Sequence, residues 1–324
     1  MMASYLLRLL CVCLAAFFVI HSVVGVAVAA AGGAAVRAAR RMRPRSGGRF
    51  LLALRLLPAA LGLFVVGGLC VPSYLWLEPE TNAEELGAGC LAAAILAAAV
   101  CSLAMARALR AAVRAARHAR GWERLGRLST LPGWQRPVRI LDAPAPLLAL
   151  VGVLRSRMVI STPVIEALSA RQLAVALRHE EAHRVSRDNL KRLLLVLAPG
   201  LLPGFHGFGA IERGWARFTE WAADDDAVAG DAHLSVSLAA ALVRIARMGG
   251  HPPPSPVATC FLGDSREISA RVDRLLGPTP AAPVRGGNSA AVACGWALAA
   301  ACAGSMLHPA TLQTAHRIIE ELIH

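Results

Sequence analysis

Three apolar stretches, each long enough to cross a bilayer, constrain this chain more than any other feature of it. Leu9 to Ala31 is apolar apart from His21 and Ser22, Phe50 to Val71 carries Arg55 as its one charge, and Cys90 to Ala106 is Ala-rich and uncharged. A hydrocarbon core about 30 Å thick needs about 20 apolar helical residues. Within it the backbone must satisfy its own hydrogen bonds, so each stretch is expected to be a helix, with Pro72 ending the second and Arg55 snorkelling to the interface near its start. The composition points the same way, at 56% hydrophobic and 17% charged residues. A cleaved signal peptide fits the first stretch poorly: the apolar run is too long, and six arginines follow it (Arg37, Arg40, Arg41, Arg43, Arg45, Arg49). Ser289 to Met306 is a fourth apolar stretch of marginal spanning length.

The charges orient these helices. The loop after the second stretch holds Glu78, Glu80, Glu84 and Glu85 and no basic residue, whereas the first and third stretches are followed by arginine clusters. Basic loops stay in the cytoplasm, so the N-terminus is expected outside and the chain beyond the third span inside. The net charge of +13 comes almost wholly from arginines beside apolar segments, with Lys191 the one lysine. This is a membrane-flanking pattern and predicts no direct nucleic-acid binding. The eight cysteines show no C-x-x-C spacing and read as small buried hydrophobes.

After Arg107–Arg127, whose helical spacing extends the third span, the pattern changes. Residues 137–142, 147–153 and 157–161 read as short strands. Ser169-Ala-Arg-Gln172 is a capping box that starts a helix with Leu173, Ala176, Leu177, Ala182 and Val185 as its apolar stripe. Leu190 to Leu202 is too short to span and is expected to form a core helix hairpin or a segment on the membrane surface. A helix from about Ala210 to Ala229 stops at Gly230, Asp231 caps the next, His251 to Pro256 is a linker, and Ser265 to Leu276 is an amphipathic helix.

The chemistry lies in His179-Glu180-Glu181-Ala182-His183. Two histidines at i and i+4 share one helix face and can reach one Zn²⁺, with Glu180 placed to take a proton from water. A third ligand is needed, and Glu220-x-x-x-Asp224 offers two carboxylates on one face: Glu220 as ligand, Asp224 as acceptor for a ligand histidine's N–H. Asp225 and Asp226 point off that face. His206 reads as an interfacial residue and Arg271 as a structural ion-pair or surface residue.

These motifs, together with Val151–Ser161, His183-Arg-Val-Ser-Arg-Asp188-Asn-Leu and Ile268-x-x-Arg271-Val-x-x-Leu275, resemble the BlaR/MecR-type membrane metallopeptidases; the HtpX and CAAX-prenyl-protease group shares part of the pattern. The resemblance implies an α-helical polytopic membrane protein with an inserted, mainly α, zincin-like (gluzincin) domain that contains a small β-sheet. Residues 1–127 would form three spans, 128–280 a cytoplasmic zinc peptidase domain, and 281–324 a fourth span with a short external tail, in a bacterial inner membrane. His179, His183 and Glu220 would bind zinc, Glu180 would be the base, and Asp188 and Asp224 would support the ligands. The expected partner is a cytosolic protein substrate such as a transcriptional repressor. Family members that sense β-lactams carry a penicillin-binding domain after the last span, and nothing of that kind is expected here. A membrane quality-control protease of HtpX type and a proteolytically inactive membrane regulator are the other readings; a transporter is disfavoured by the lack of paired charges within the spans.

Overall fold

The computed structural model describes residues 2–77, 86–132, 134–249, 259–260, 265–277 and positions 311, 313, 314 and 317. The acidic residues 78–85, the linker at 251–256 and the fourth apolar stretch at 289–306 lie outside the described residues. Most of the described chain is helical. Three helical stretches, Tyr5–Ala39, Pro44–Leu77 and Ala88–Leu125, are long and apolar enough to cross a membrane. The first is helix α1 (Met2–Ala39) and the third is α4 (Ala88–Leu125), which carries the Arg107–Arg124 face as one continuous helix.

The second stretch does not end at Pro72. Helix α2 (Pro44–Val65) passes into a π-helical turn (Val66–Cys70) and on into α3 (Val71–Leu77). The Val71 N–H bonds back to the Val66 carbonyl, five residues earlier. Such a widened turn takes up the hydrogen-bond mismatch near a proline, and Pro72 then sits in the first turn of α3, where its missing N–H costs little.

A five-stranded sheet follows, β1 (Arg127–Leu131), β2 (Trp134–Leu141), β3 (Leu148–Val151), β4 (Arg157–Ser161) and β5 (Thr259–Cys260), in the order β1-β2-β4-β3-β5. β2 and β4 are parallel, and the other pairs are antiparallel. Three of these strands match expectation; β1 and β5 do not appear in the sequence reading. β1 has no clean alternation, and it is a strand because it pairs with β2. β5 pairs with Ala149 and Leu150 of β3, so the strands at 137–161 do not supply the outer edges of the sheet; β1 and β5 do.

Helix α5 (Thr162–Ala167) leads into α6 (Ala170–Ser186), which bears the H-E-x-x-H run. The capping box forms on both sides: Ser169 Oγ accepts from Gln172 N–H, and Gln172 Oε1 accepts from Ser169 N–H. Leu173, Ala176 and Leu177 pack with the sheet and with α9 (Ala232–Arg247), but Val185 is 64% exposed and is not part of that stripe. Helix α8 (Gly209–Val228) ties two cores together. Its C-terminal Ala227 and Val228 join the core under the sheet, while Ile211, Trp215 and Phe218 join a second core built on α1 and α2. Gly214 permits this approach, since a Cβ there would lie 2.9 Å from Val36 and 3.1 Å from Leu51. Asp231 caps α9, accepting from the N–H groups of His233 and Leu234, and α10 (Ser265–Leu276) follows.

The apolar segment at 190–202 is not a hairpin of helices. It is one helix, α7 (Asp188–Leu197), and the turn after it reaches α1 and α2. His21 Nε2 lies 3.0 Å from the Gly200 carbonyl, and Arg55 Nη2 donates to the carbonyls of Ala198 and Pro199. Arg55 therefore does not snorkel. It is fully buried, and its Nε donates to Glu212 Oε1 of α8 at 2.7 Å. A span of this chain thus does hold a paired charge, contrary to the expectation used against a transporter. The partner comes from a helix outside the spans, more than 150 residues on, which no local pattern reveals.

Candidate metal centre

Helix α6 brings His179 and His183 onto one face, and α8 brings Glu220 against them. His179 Nε2 and His183 Nε2 are 3.1 Å apart, and Glu220 Oε2 lies 3.5 Å and 3.6 Å from them. A tetrahedral ion with bonds of roughly 2.0–2.1 Å places its ligand atoms about 3.3–3.4 Å from one another. The three side chains therefore fit such an ion.

The remote ring nitrogens are both held by carboxylates. His183 Nδ1 is 2.8 Å from Asp188 Oδ2, and His179 Nδ1 is 2.9 Å from Asp224 Oδ1. An N–H donated from Nδ1 to a carboxylate leaves the Nε2 lone pair facing the ligand cluster. The chain geometry makes both contacts. Arg187, in the left-handed region at φ 54°, ends α6 and starts α7, so that Asp188 in the first turn of α7 folds back under His183. On α8 the i, i+4 spacing puts Asp224 one turn past Glu220, beside His179. Lys191 Nζ in turn donates to Asp188 Oδ1 at 2.7 Å.

Arg271 of α10 belongs to this cluster, not to the surface. It is 2% exposed. Its Nε and Nη2 donate to the two oxygens of Asp224 at 2.9 and 2.6 Å, and its Nη1 lies 3.2 Å from Glu220 Oε2. Asp224 and Arg271 are 47 residues apart in sequence, and the signal that links them is the I-x-x-R-V-x-x-L-L run alone. Asp225 and Asp226 point elsewhere, as their positions predict: Asp225 pairs with Arg274 and Asp226 with Arg45. His206 is also outside the cluster, 2.9 Å from Glu212.

The electrostatics show a site short of positive charge. Burial raises Glu180 to about 7 even though His183, His179 and Arg271 act to lower it. Both Glu180 oxygens are buried without a hydrogen-bond partner among the described residues. His183 is pushed up to about 10, because Glu220 and Asp188 outweigh the opposing effect of burial. Burial also acts to raise Glu220 and Asp224, yet the histidines and Arg271 hold Glu220 well below its usual value and Asp224 at about 2. Glu220 and Asp188 thus favour positive charge at His183, beside the point where the three ligand atoms converge. The helix face that carries His179, Glu180 and His183 is 0% exposed, so the cluster is closed to solvent.

Comparison with family models, with curated proteins and with solved structures finds no match to this chain.

Proposed function

We propose that this chain is a membrane-embedded zinc endopeptidase of the BlaR/MecR type. Its zincin-like domain would face the cytoplasm of a bacterial inner membrane and hydrolyse a cytosolic, repressor-like protein. The observation that carries this reading is the convergence of His179, His183 and Glu220 at ligand spacing, next to a buried Glu180 with no hydrogen-bond partner among the described residues. Two nitrogens and a carboxylate oxygen form the donor set of catalytic zinc sites, which keep a further position open.

Zinc bound by these side chains supplies Lewis acidity, polarising a peptide carbonyl and acidifying water. The rest of the chemistry belongs to the protein. Glu180 takes a proton as the water oxygen adds to the carbonyl carbon, then gives it to the amine nitrogen as the C–N bond breaks. Its raised affinity for protons suits both halves of that cycle. Asp188 and Asp224 fix the tautomers of His183 and His179, and Arg271 holds Asp224 in place through two hydrogen bonds. The closed site suits an enzyme that works on demand, with access opened by a signal from the spans.

The test is the metal content of the purified protein together with cleavage of a trapped partner. Wild type and Glu180→Gln are expected to bind one zinc each, His179→Ala none, and only wild type to cleave partners captured on Glu180→Gln. Equal metal in wild type and His179→Ala would sink the proposal. Capture of many membrane proteins instead of one soluble partner would turn it toward quality control. Unchanged signalling by Glu180→Gln would point to a regulator that does not cut.

A further inference from the structure

A cavity beside the metal centre is chemically unlike it. It has a volume of about 370 Å³ and lies between the first turns of α2, the α6–α7 corner and α8, within the roughly 300–1,000 Å³ usual for small-ligand sites. Arg45, Arg49 and Lys191 line it, against one carboxylate, Asp188. Two of the three cations are available to a ligand. Among the described residues, Arg49 is exposed with no ion pair, and Arg45 meets Asp226 at 3.1 Å, with 49% and 38% of the side chains exposed, a pair worth little. The start of α2 adds to the positive potential: it has no side-chain cap and no acidic residue in its first turn.

The far wall is apolar, with Leu52, Val185 and Trp215. Along α2 the cavity therefore runs from Arg45 and Arg49 to Leu52, across the point where the apolar stretch begins at Phe50. That is the polar–apolar boundary where lipid headgroups sit. We infer that this cleft is a binding site for the phosphodiester headgroup of an anionic lipid, the phosphate meeting Arg45, Arg49 and Lys191 and the acyl chains passing Leu52 and Trp215. Lys191 and Asp188 both line the cleft, and Asp188 also holds His183, so the lipid site and the metal centre meet at this pair. The inference does not depend on whether the metal centre hydrolyses peptides.

Free phosphate has the same charged chemistry without the acyl chains, so the experiment separates the two. The full-length protein in detergent is titrated with short-chain phosphatidylglycerol, short-chain phosphatidylcholine or inorganic phosphate, and thermal unfolding is followed. Only phosphatidylglycerol is expected to raise the unfolding temperature. Arg49→Gln should weaken that effect about fivefold, as expected for one arginine at an anionic headgroup, and Arg49→Lys should restore most of it. Arg110→Gln, on the exposed face of α4, should change it less than about twofold. Equal losses in Arg49→Gln and Arg110→Gln would show diffuse attraction and overturn the site. Protection by inorganic phosphate alone would make it an ion site and overturn the lipid assignment, as would protection by neither ligand.

Discussion

Helix α8 has a buried charged cluster at each end, and the two are built to opposite specifications. Near its start, Glu212 Oε1 accepts from Arg55 Nε at 2.7 Å and lies 2.9 Å from His206 Nε2, while Arg55 also caps the free carbonyls of Ala198 and Pro199. Arg55 and Glu212 pair there, and the result is a joint between a span and the polar part of the chain. Two turns further on, Glu220 Oε2 faces two ring nitrogens and Arg271 Nη1, its Oε1 accepts from Arg192 Nη2 at 3.4 Å, and beside it Glu180 has no hydrogen-bond partner among the described residues. An ion pair holds elements together; ligand-type atoms that converge on one point beside an unpartnered carboxylate mark a place for a cation.

The largest expected effect comes from breaking the Arg55–Glu212 joint. Arg55→Met strands Glu212 and two carbonyls, and should destabilise the protein by about 3–5 kcal/mol in denaturant or thermal unfolding. Arg55→Met with Glu212→Leu should recover much of that loss, and zinc bound per folded molecule should not change in either variant. If Arg55→Met instead removed zinc from folded protein, the two ends would not be separable.

Glu220→Gln is the counterpart at the other end. Removing one of three ligands should cost roughly 3 kcal/mol of metal affinity, more than a hundredfold, whereas Glu212→Gln should leave zinc affinity as it was. Calorimetric titration of both variants would settle which carboxylate holds metal. A smaller change is expected from Asp188→Asn, which leaves the ligands in place but loosens the His183 ring. Metal affinity should fall about 10–100-fold, and an unaltered value would remove Asp188 from the site.

The mildest test is pH. Without metal, His183 keeps its proton up to about pH 10, and metal must displace that proton to bind. Raising pH below that value weakens the competition, so zinc affinity should increase by up to about tenfold per pH unit between roughly pH 6 and 8. A flat profile would mean that the proton and the ion do not compete for Nε2.

The difference between the two ends also explains what could be read beforehand. His179, Glu180 and His183, and Glu220 with Asp224, are each local patterns with helical period, and the period alone puts them on common faces. Ser169, Gln172 and Asp231 announced their helix starts for the same reason, since a cap bonds to N–H groups two or three residues away. Arg55 looked like a snorkelling residue because its partner lies on a helix far along the chain. Arg271 reads equally as an ion-pair or a surface residue, and the structure bears out the ion pair: its partner Asp224 lies on another helix, out of reach of any local pattern. β1 has no signal of its own because its strand character comes from β2, and Pro72 reads as a helix end because a π turn is a tertiary accommodation.

The sequence by itself determined the elements whose causes are local: three long apolar helices, the arginine-rich flanks, the capped α6, and the ligand-type residues at i, i+4. Tertiary structure decided which of those residues meet. It set Asp188 under His183 through the left-handed turn at Arg187, closed Arg271 onto Asp224, and spent Arg55 on Glu212. Helical period depends on neighbours three or four residues apart, whereas the pairing of buried charges depends on which helices pack, and that is a property of the whole fold.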